Sequence, residues 1–234
     1  MNESSQLLTG NLSRIAPRFQ PGAATPRQQG RLSSRFIEQR MRRFLELLPQ
    51  LPQPAKMLDL GGTTDFWREW KPAGIQLTVL NVFPQARRED IDVVVGDACD
   101  LSRYPDQSFD VIFSNSVIGH VGGWERQQRM AREIRRVAKR YYLQTPNQDF
   151  PVDWRTLVPF FHWLSPRAQA WFFQRVPVGR YPRAKTATEA WDLATRVRNL
   201  NRYELQRCFP EGHISEERVG GFVKSFVVQH GFIK

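Results

Sequence analysis

Between Lys56 and Pro146, short apolar runs alternate with helix-like stretches and long crossovers. That alternation constrains the chain more than any other feature. Strands joined through helices run parallel, and a parallel sheet needs both of its faces covered. The runs are Lys56–Leu60, Ile75–Val82, Ile91–Val95, Phe109–Ser114 and Tyr141–Thr145. Thr63–Trp70 reads as a short helix stopped by Pro72 and Gly74. Gly123–Lys139 reads as a longer one with Met130, Ile134 and Val137 on one face. Two further strands, His213–Val219 and Phe222–Val228, meet through Gly220-Gly221, a link that favours an antiparallel hairpin. The expectation is an α/β fold: a doubly wound, mostly parallel seven-stranded sheet with a C-terminal antiparallel hairpin and helices on both faces.

The flanks differ from this core. Residues 1–30 mix Pro and Gly with Ser, Gln and Arg and read as a flexible basic arm. A single domain is expected over 31–234. Within it, 31–55 carries an N-terminal helix, capped at Ser33 or Ser34 and ended by Pro49, Pro52 and Pro54. The core follows over 56–149. Residues 150–185 hold Trp154, Phe160, Trp163, Trp171, Phe172 and Phe173 among prolines. This predicts an inserted aromatic cap of two short helices. Residues 186–234 supply C-terminal helices and the closing hairpin. There Thr186-Ala187-Thr188-Glu189 is a capping box, and Asn201–Glu204 opens a shorter helix.

The 234 residues include 34 Lys plus Arg against 23 Asp plus Glu, a net charge of +11. Such a charge suggests nucleic acid, but its distribution argues otherwise. Residues 1–56 carry nine basic and three acidic side chains, 57–150 twelve and thirteen, and 151–234 thirteen and seven. The core is neutral, so the charge describes its surroundings. The two cysteines, Cys99 and Cys208, exclude a disulfide scaffold, and four scattered histidines give no metal-ligand spacing. No metal is expected. No apolar run reaches the ~18 residues of a membrane span, and MNESSQLLTG lacks the layout of a secretion signal. The expectation is a cytoplasmic protein.

The main chemical signal is Leu58-Asp59-Leu60-Gly61-Gly62-Thr63-Thr64-Asp65, a glycine turn leaving the first parallel strand. Such a turn lets backbone approach a ligand outside the carboxyl ends of the strands. It is neither a dinucleotide Gly-x-Gly-x-x-Gly nor a P-loop. Asn81 ends the second strand, Gly96-Asp97-Ala98 follows the third, and Ser114-Asn115-Ser116-Val117-Ile118-Gly119-His120 follows the fourth. In this order and spacing, the chain resembles the class I S-adenosylmethionine-dependent methyltransferases, particularly the small-molecule and ubiquinone/menaquinone-type group. The resemblance covers roughly residues 56–147 by motif and the closing hairpin by topology.

The resemblance implies a Rossmann-like methyltransferase fold with S-adenosylmethionine as cofactor. It implies that Asp59 orients the glycine loop and reaches the methionine amino group. Gly61, Gly62 and Thr63 line the methionine and ribose, and Asn81 meets ribose hydroxyls. Asp97 accepts from the adenine amino group beside Ala98. Ser114 and Asn115 floor the methionine, with Val117 near the sulfonium. Two positions depart from the family. Thr63 and Asp65 replace the later glycines of Gly-x-Gly-x-Gly, narrowing the site, and Asn81 replaces an acid. An amide accepts through one oxygen but only donates through nitrogen, a loss of roughly tenfold in affinity.

Methyl transfer mainly requires alignment, with a base only where the acceptor must lose a proton. His120 is the candidate base. Asp153, His162 and Trp163 in the cap are candidate substrate contacts. The acceptor expected is a small molecule, lipophilic or sugar-containing. Trp and Phe beside Arg also suit peripheral contact with a membrane surface; the same aromatics suit the core of packed helices. The alternatives are a non-catalytic binding protein on this fold, or an RNA-associated methyltransferase using the basic flanks. A nicotinamide-dependent oxidoreductase stands further off, because the glycine turn is wrong for it.

Overall fold

The computed structural model describes residues 31–70 and 72–233. The expected arm, 1–30, lies outside the described residues. In chain order the elements are α1 (Arg31–Leu47), β1 (Ala55–Leu60), α2 (Thr64–Trp70), β2 (Ile75–Asn81), β3 (Ile91–Val95) and β4 (Val111–Asn115). Next are α3 (Trp124–Val137), β5 (Tyr141–Pro146), α4 (Pro166–Arg175), α5 (Ala187–Thr195), α6 (Arg202–Cys208), β6 (His213–Val219) and β7 (Phe222–His230). One seven-stranded sheet has the order β3-β2-β1-β4-β5-β7-β6. It is mostly parallel and ends in the antiparallel β6–β7 hairpin, whose two-glycine turn has Gly220 and Gly221 at positive φ. The chain divides into two compact units. The first holds the described residues up to Asn115 with Glu133–Tyr142 and the chain from Gln229; the second holds Ser116–Arg132 and Leu143–Val228.

In the first unit, β1 is buried on both faces. Met57, Leu58 and Leu60 are fully buried, as a central parallel strand requires. Its register sets Asp59 opposite Val79 of β2 and Phe113 of β4. The aromatic core forms on one face: Phe44 of α1 lies 4.7 Å from Phe113 and 5.1 Å from Tyr142 by ring centroid, and Trp67 of α2 lies 5.3 Å from Phe113. These tilted and edge-on geometries are the favoured ones for ring pairs.

The loop from β3 to β4 has little secondary structure and is fastened by two side chains of α3. The Glu133 carboxylate accepts from the Leu101 N–H at 2.9 Å. Arg136 donates to the Leu101 and Tyr104 carbonyls and to Asp106. The Arg136 hydrogen bond holds the Glu133 carboxyl below its usual range. The α3 face expected from sequence is present, since Met130, Ile134 and Val137 are fully buried.

One boundary differs. Ser33 and Ser34 lie inside α1, not ahead of it, so neither is its N-cap.

The cap belongs to the second unit. It contains a single α-helix, α4, preceded by a 3-10 turn at Phe161–Trp163, where two helices were expected. Ser165 caps α4, with Pro166 in its first turn. Phe161, Ala170 and Phe173 pack with Val178, Ala184, Ala190 and Ala194 into a small core between α4 and α5. Thr186 caps α5 by accepting from the Glu189 N–H, as its sequence pattern predicts, and the capping box of α6 is formed by Asn201 and Glu204.

Candidate functional site

Nine of the expected cofactor residues lie in the first unit, at or just beyond the C-terminal ends of β1, β2, β3 and β4. The position follows from the fold, because carboxyl ends of parallel strands open where the strand order reverses. Here β1 has β2 on one side and β4 on the other.

Asp59 lies beneath the glycine loop and is completely buried. Its Oδ2 accepts from the Trp67 indole N–H at 2.5 Å. Its Oδ1 has no hydrogen-bond partner among the described residues. Burial raises the carboxyl to about 7, against the partial opposition of the Trp67 hydrogen bond. Gly62 covers it so closely that a Cβ there would lie 1.6 Å from Oδ2. Gly61 holds φ at +79°, a conformation that glycine adopts without strain.

Asn81 holds the glycine loop. Its Nδ2 donates to the carbonyls of Gly61 at 3.1 Å and Gly62 at 2.9 Å, and its Oδ1 accepts from the Val82 N–H at 2.8 Å. The amide is thus committed to the loop, and a carboxylate could not make the two donations. Gln85 supports the same turn by donating to the Gly62 carbonyl at 3.0 Å while accepting from the Thr64 N–H at 2.9 Å.

The two later glycine positions have local roles. Thr63 Oγ1 accepts from the Phe66 N–H at 3.2 Å, at the start of α2. Asp65 points outward, its side chain 73% exposed and 3.6 Å from Arg88, so it does not narrow the loop.

Asp97 accepts from the Cys99 N–H at 2.8 Å, which shapes the turn after β3, and Ala98 beside it is buried. Ser114 is buried and donates to the Leu60 carbonyl at 3.4 Å, tying β4 to the end of β1. Asn115 accepts from the guanidinium of Arg40. Arg40 is buried on α1 and is a residue the motifs did not reveal. The available signal was a charge on an apolar face, one helical turn from both Phe36 and Phe44. Gln85 gave no such signal, because it follows Pro84 in a loop.

The other candidates belong to the second unit. Val117 is half-buried, and its carbonyl accepts from the His120 N–H at 2.7 Å in a 3-10 turn. His120 keeps an exposed face. Crowding of its imidazole, with Arg155 and Arg196 nearby and only Asp153 opposing, holds it down to about 4, so it is neutral at pH 7. Asp153 is buried and receives the guanidinium of Arg155 on both oxygens, plus the Arg155 N–H at 2.8 Å. Burial alone would raise this carboxyl, but the Arg155 interactions outweigh it and lower it.

His162 Nε2 lies 3.1 Å from the Gln148 carbonyl, to which the Trp163 indole also donates at 2.9 Å. His162 Nδ1 is buried without a partner among the described residues. Asp153 and His162 line a common polar cavity of about 40 Å³ with Gln148, Tyr181 and Asn199; Trp163 lies outside it. That volume suits a water molecule rather than a metabolite.

The comparisons with known proteins agree with this architecture. Residues 58–141 match the model of the methyltransferase domain family. The YcgJ protein of Bacillus subtilis has a similar structure, with TM-score 0.51 and 13% identity over 82% of this chain and 95% of that one. A possible exported protein from Bordetella parapertussis gives 0.51 and 14% over 84% and 67%. A SAM-dependent methyltransferase from Methanosarcina mazei gives 0.49 and 15% over 76% and 92%. No curated protein sequence matches the chain. The sheet order defines an α/β protein with a mostly parallel seven-stranded sheet closed by an antiparallel hairpin, the Rossmann-like fold expected from sequence, and the family match runs from β1 to the start of β5.

Proposed function

We propose that this protein transfers a methyl group from S-adenosylmethionine to a small-molecule acceptor. The observation that carries the reading is the Asp59 carboxyl, buried under Gly62 with one oxygen unpartnered among the described residues. Such a group is costly to bury without a ligand or proton to satisfy it. The methionine ammonium is a suitable partner, and the cradle fits the cofactor that the family implies. Bound there, S-adenosylmethionine would supply an electrophilic methyl carbon, leaving alignment to the protein.

Asp59 would pair with the ammonium, and Gly61, Gly62 and Thr63 would face the methionine and ribose. Asp97 and Ala98 would meet adenine, with Ser114, Asn115 and Val117 near the methionine end. Asn81 would act on the cofactor through the loop it clamps rather than through ribose hydroxyls. Arg40 would position Asn115.

We assign the acceptor to the second unit, at His120 and Trp163; Asp153 is satisfied by Arg155, and the cavity it shares with His162 has room for a water rather than an acceptor. A neutral His120 can accept a proton, but its depressed pKa makes it a weak base. The acceptor class is a lipophilic or sugar-containing small molecule. The assigned location is the cytoplasm, in keeping with Cys99 and Cys208 both being buried and not joined in a disulfide.

Native mass spectrometry and titration calorimetry with S-adenosylmethionine and S-adenosylhomocysteine test the reading. Micromolar binding that Asp59→Asn weakens is expected. Absence of binding at millimolar cofactor would remove it. Binding without turnover on any acceptor would favour a non-catalytic protein.

A further inference from the structure

The cap divides its aromatic residues between two environments. Phe161 and Phe173 are buried in its core. Trp154, Phe160, Trp163, Trp171 and Phe172 are exposed, and they share the surface with Leu157, Val158, Leu164 and Val176. Trp154, Phe160, Trp163 and Trp171 each keep half or more of their surface in water, far more than isolated surface aromatics need explain.

Phe160 and Leu157 hold φ at +63° and +54°, a backbone state uncommon for side chains of this size. The loop therefore displays these two residues at a conformational cost. Beside them, Val158, Pro159, Phe160, Leu164, Phe172 and Val176 line an apolar groove of about 300 Å³.

The charge along this segment of the chain has one sign. From Trp154 to Thr188 the sequence contains Arg155, Arg167, Arg175, Arg180, Arg183 and Lys185 and no Asp or Glu. Arg155 is committed to Asp153. The other five are exposed. Two of them are stacked on the exposed indoles: Arg175 lies 4.0 Å from the Trp171 ring centroid and Arg180 5.3 Å from that of Trp154. A stacked guanidinium keeps its N–H edge available for phosphate oxygens. Indoles at headgroup depth with arginines at the phosphates are the arrangement of a membrane interface.

We propose that this face of the cap docks on the surface of an anionic phospholipid bilayer. Phe160, Trp163 and the outer face of α4 enter the headgroup region, the five cations meet lipid phosphates, and the groove meets the upper segments of acyl chains. The docking is peripheral: among the described residues no helix is long and apolar enough to cross a membrane.

The test is co-sedimentation of the full chain, without cofactor, with phosphatidylcholine vesicles and with vesicles also containing phosphatidylglycerol. Binding to the anionic vesicles at low salt, weakened at high salt, is expected. The doubly substituted Phe160→Ala/Trp171→Ala protein should partition at least about tenfold less. Arg175→Glu should lose about fivefold or more and show a shallower salt dependence. All three positions are exposed, so unchanged thermal melts are expected and serve as the folding control.

Three outcomes would overturn the proposal: no binding to anionic vesicles at low salt, equal binding by the variants, or self-association that the double variant abolishes without any vesicle binding. The last would assign the face to a second copy of the chain. Because the assay contains no cofactor, its failure is distinct from failure of the methyl-transfer reading.

Discussion

Asp59 and Asp153 are both buried carboxyls, one in each unit, and their environments drive them in opposite directions. Asp153 meets the guanidinium of Arg155, two residues along the chain, and is held ionised. Asp59 meets only an indole N–H on one oxygen, and burial lifts it to about 7. Depth alone therefore does not decide the charge of a buried acid; the donor beside it does. The same contrast separates a structural carboxylate from a receptive one. Asp153 is already satisfied by protein, whereas Asp59 retains an oxygen without a partner among the described residues, the one we propose meets the cofactor's ammonium.

Removing the donor is the strongest way to break the contrast. Arg155→Met should strand Asp153 as an unpaired buried acid and destabilise the chain by about 4 kcal/mol near neutral pH. Thermal melts should show the deficit shrinking as pH falls and the Asp153 carboxyl becomes protonated.

Asp59 should follow the reverse pattern. Its folded pKa of about 7 exceeds the ordinary 3.8, so the folded state binds more protons between those values. Stability should then fall as pH rises through that window and level off above about 7, by at most about 4 kcal/mol. Asp59→Asn should flatten this dependence and melt higher than the parent at pH 8, yet bind S-adenosylmethionine more weakly. Calorimetry in buffers of different ionisation enthalpy should also show proton release on cofactor binding below pH 7, and affinity rising with pH up to about 7.

Gly62→Ala tests the cover over Asp59. A Cβ 1.6 Å from the carboxyl must displace it or the loop. A stability loss of about 2 kcal/mol is expected, with a larger proportional loss in cofactor affinity than in stability. The smallest expected effect is at Asn81. Restoring the family's acid with Asn81→Asp should weaken cofactor binding roughly tenfold rather than strengthen it. The carboxylate would face the Gly61 and Gly62 carbonyls that the amide now serves as donor. Tighter binding by Asn81→Asp would show that the amide is not needed to hold the loop.

Much of the fold was legible because strand burial is written in composition. Met57, Leu58 and Leu60 form an apolar run that only a two-sided parallel strand explains, and Gly61-Gly62 marks where it must turn. The helix caps at Thr186 and Asn201 were equally legible, since capping depends on residues three apart. The Ser33 and Ser34 signal misled because a serine hydroxyl is tolerated within a helix as well as before one.

The roles of particular side chains were less legible. Sequence assigned Asn81 to a ligand by its place at a strand end. Geometry gave its amide to the Gly61 and Gly62 carbonyls, a partnership formed across twenty residues. Arg40 and Asn115 are 75 residues apart, a pairing that chain-local patterns cannot encode.

By itself, then, the sequence determined the order of strands and helices, the glycine turn and the neutral core between basic flanks. These follow from local periodicity, backbone freedom and counting of charge. Tertiary structure alone decided which aromatic residues of the cap became core and which stayed at the surface. It also decided which of two buried acids found a cation. Both outcomes depend on what packs beside a side chain, and that is fixed only when distant segments meet.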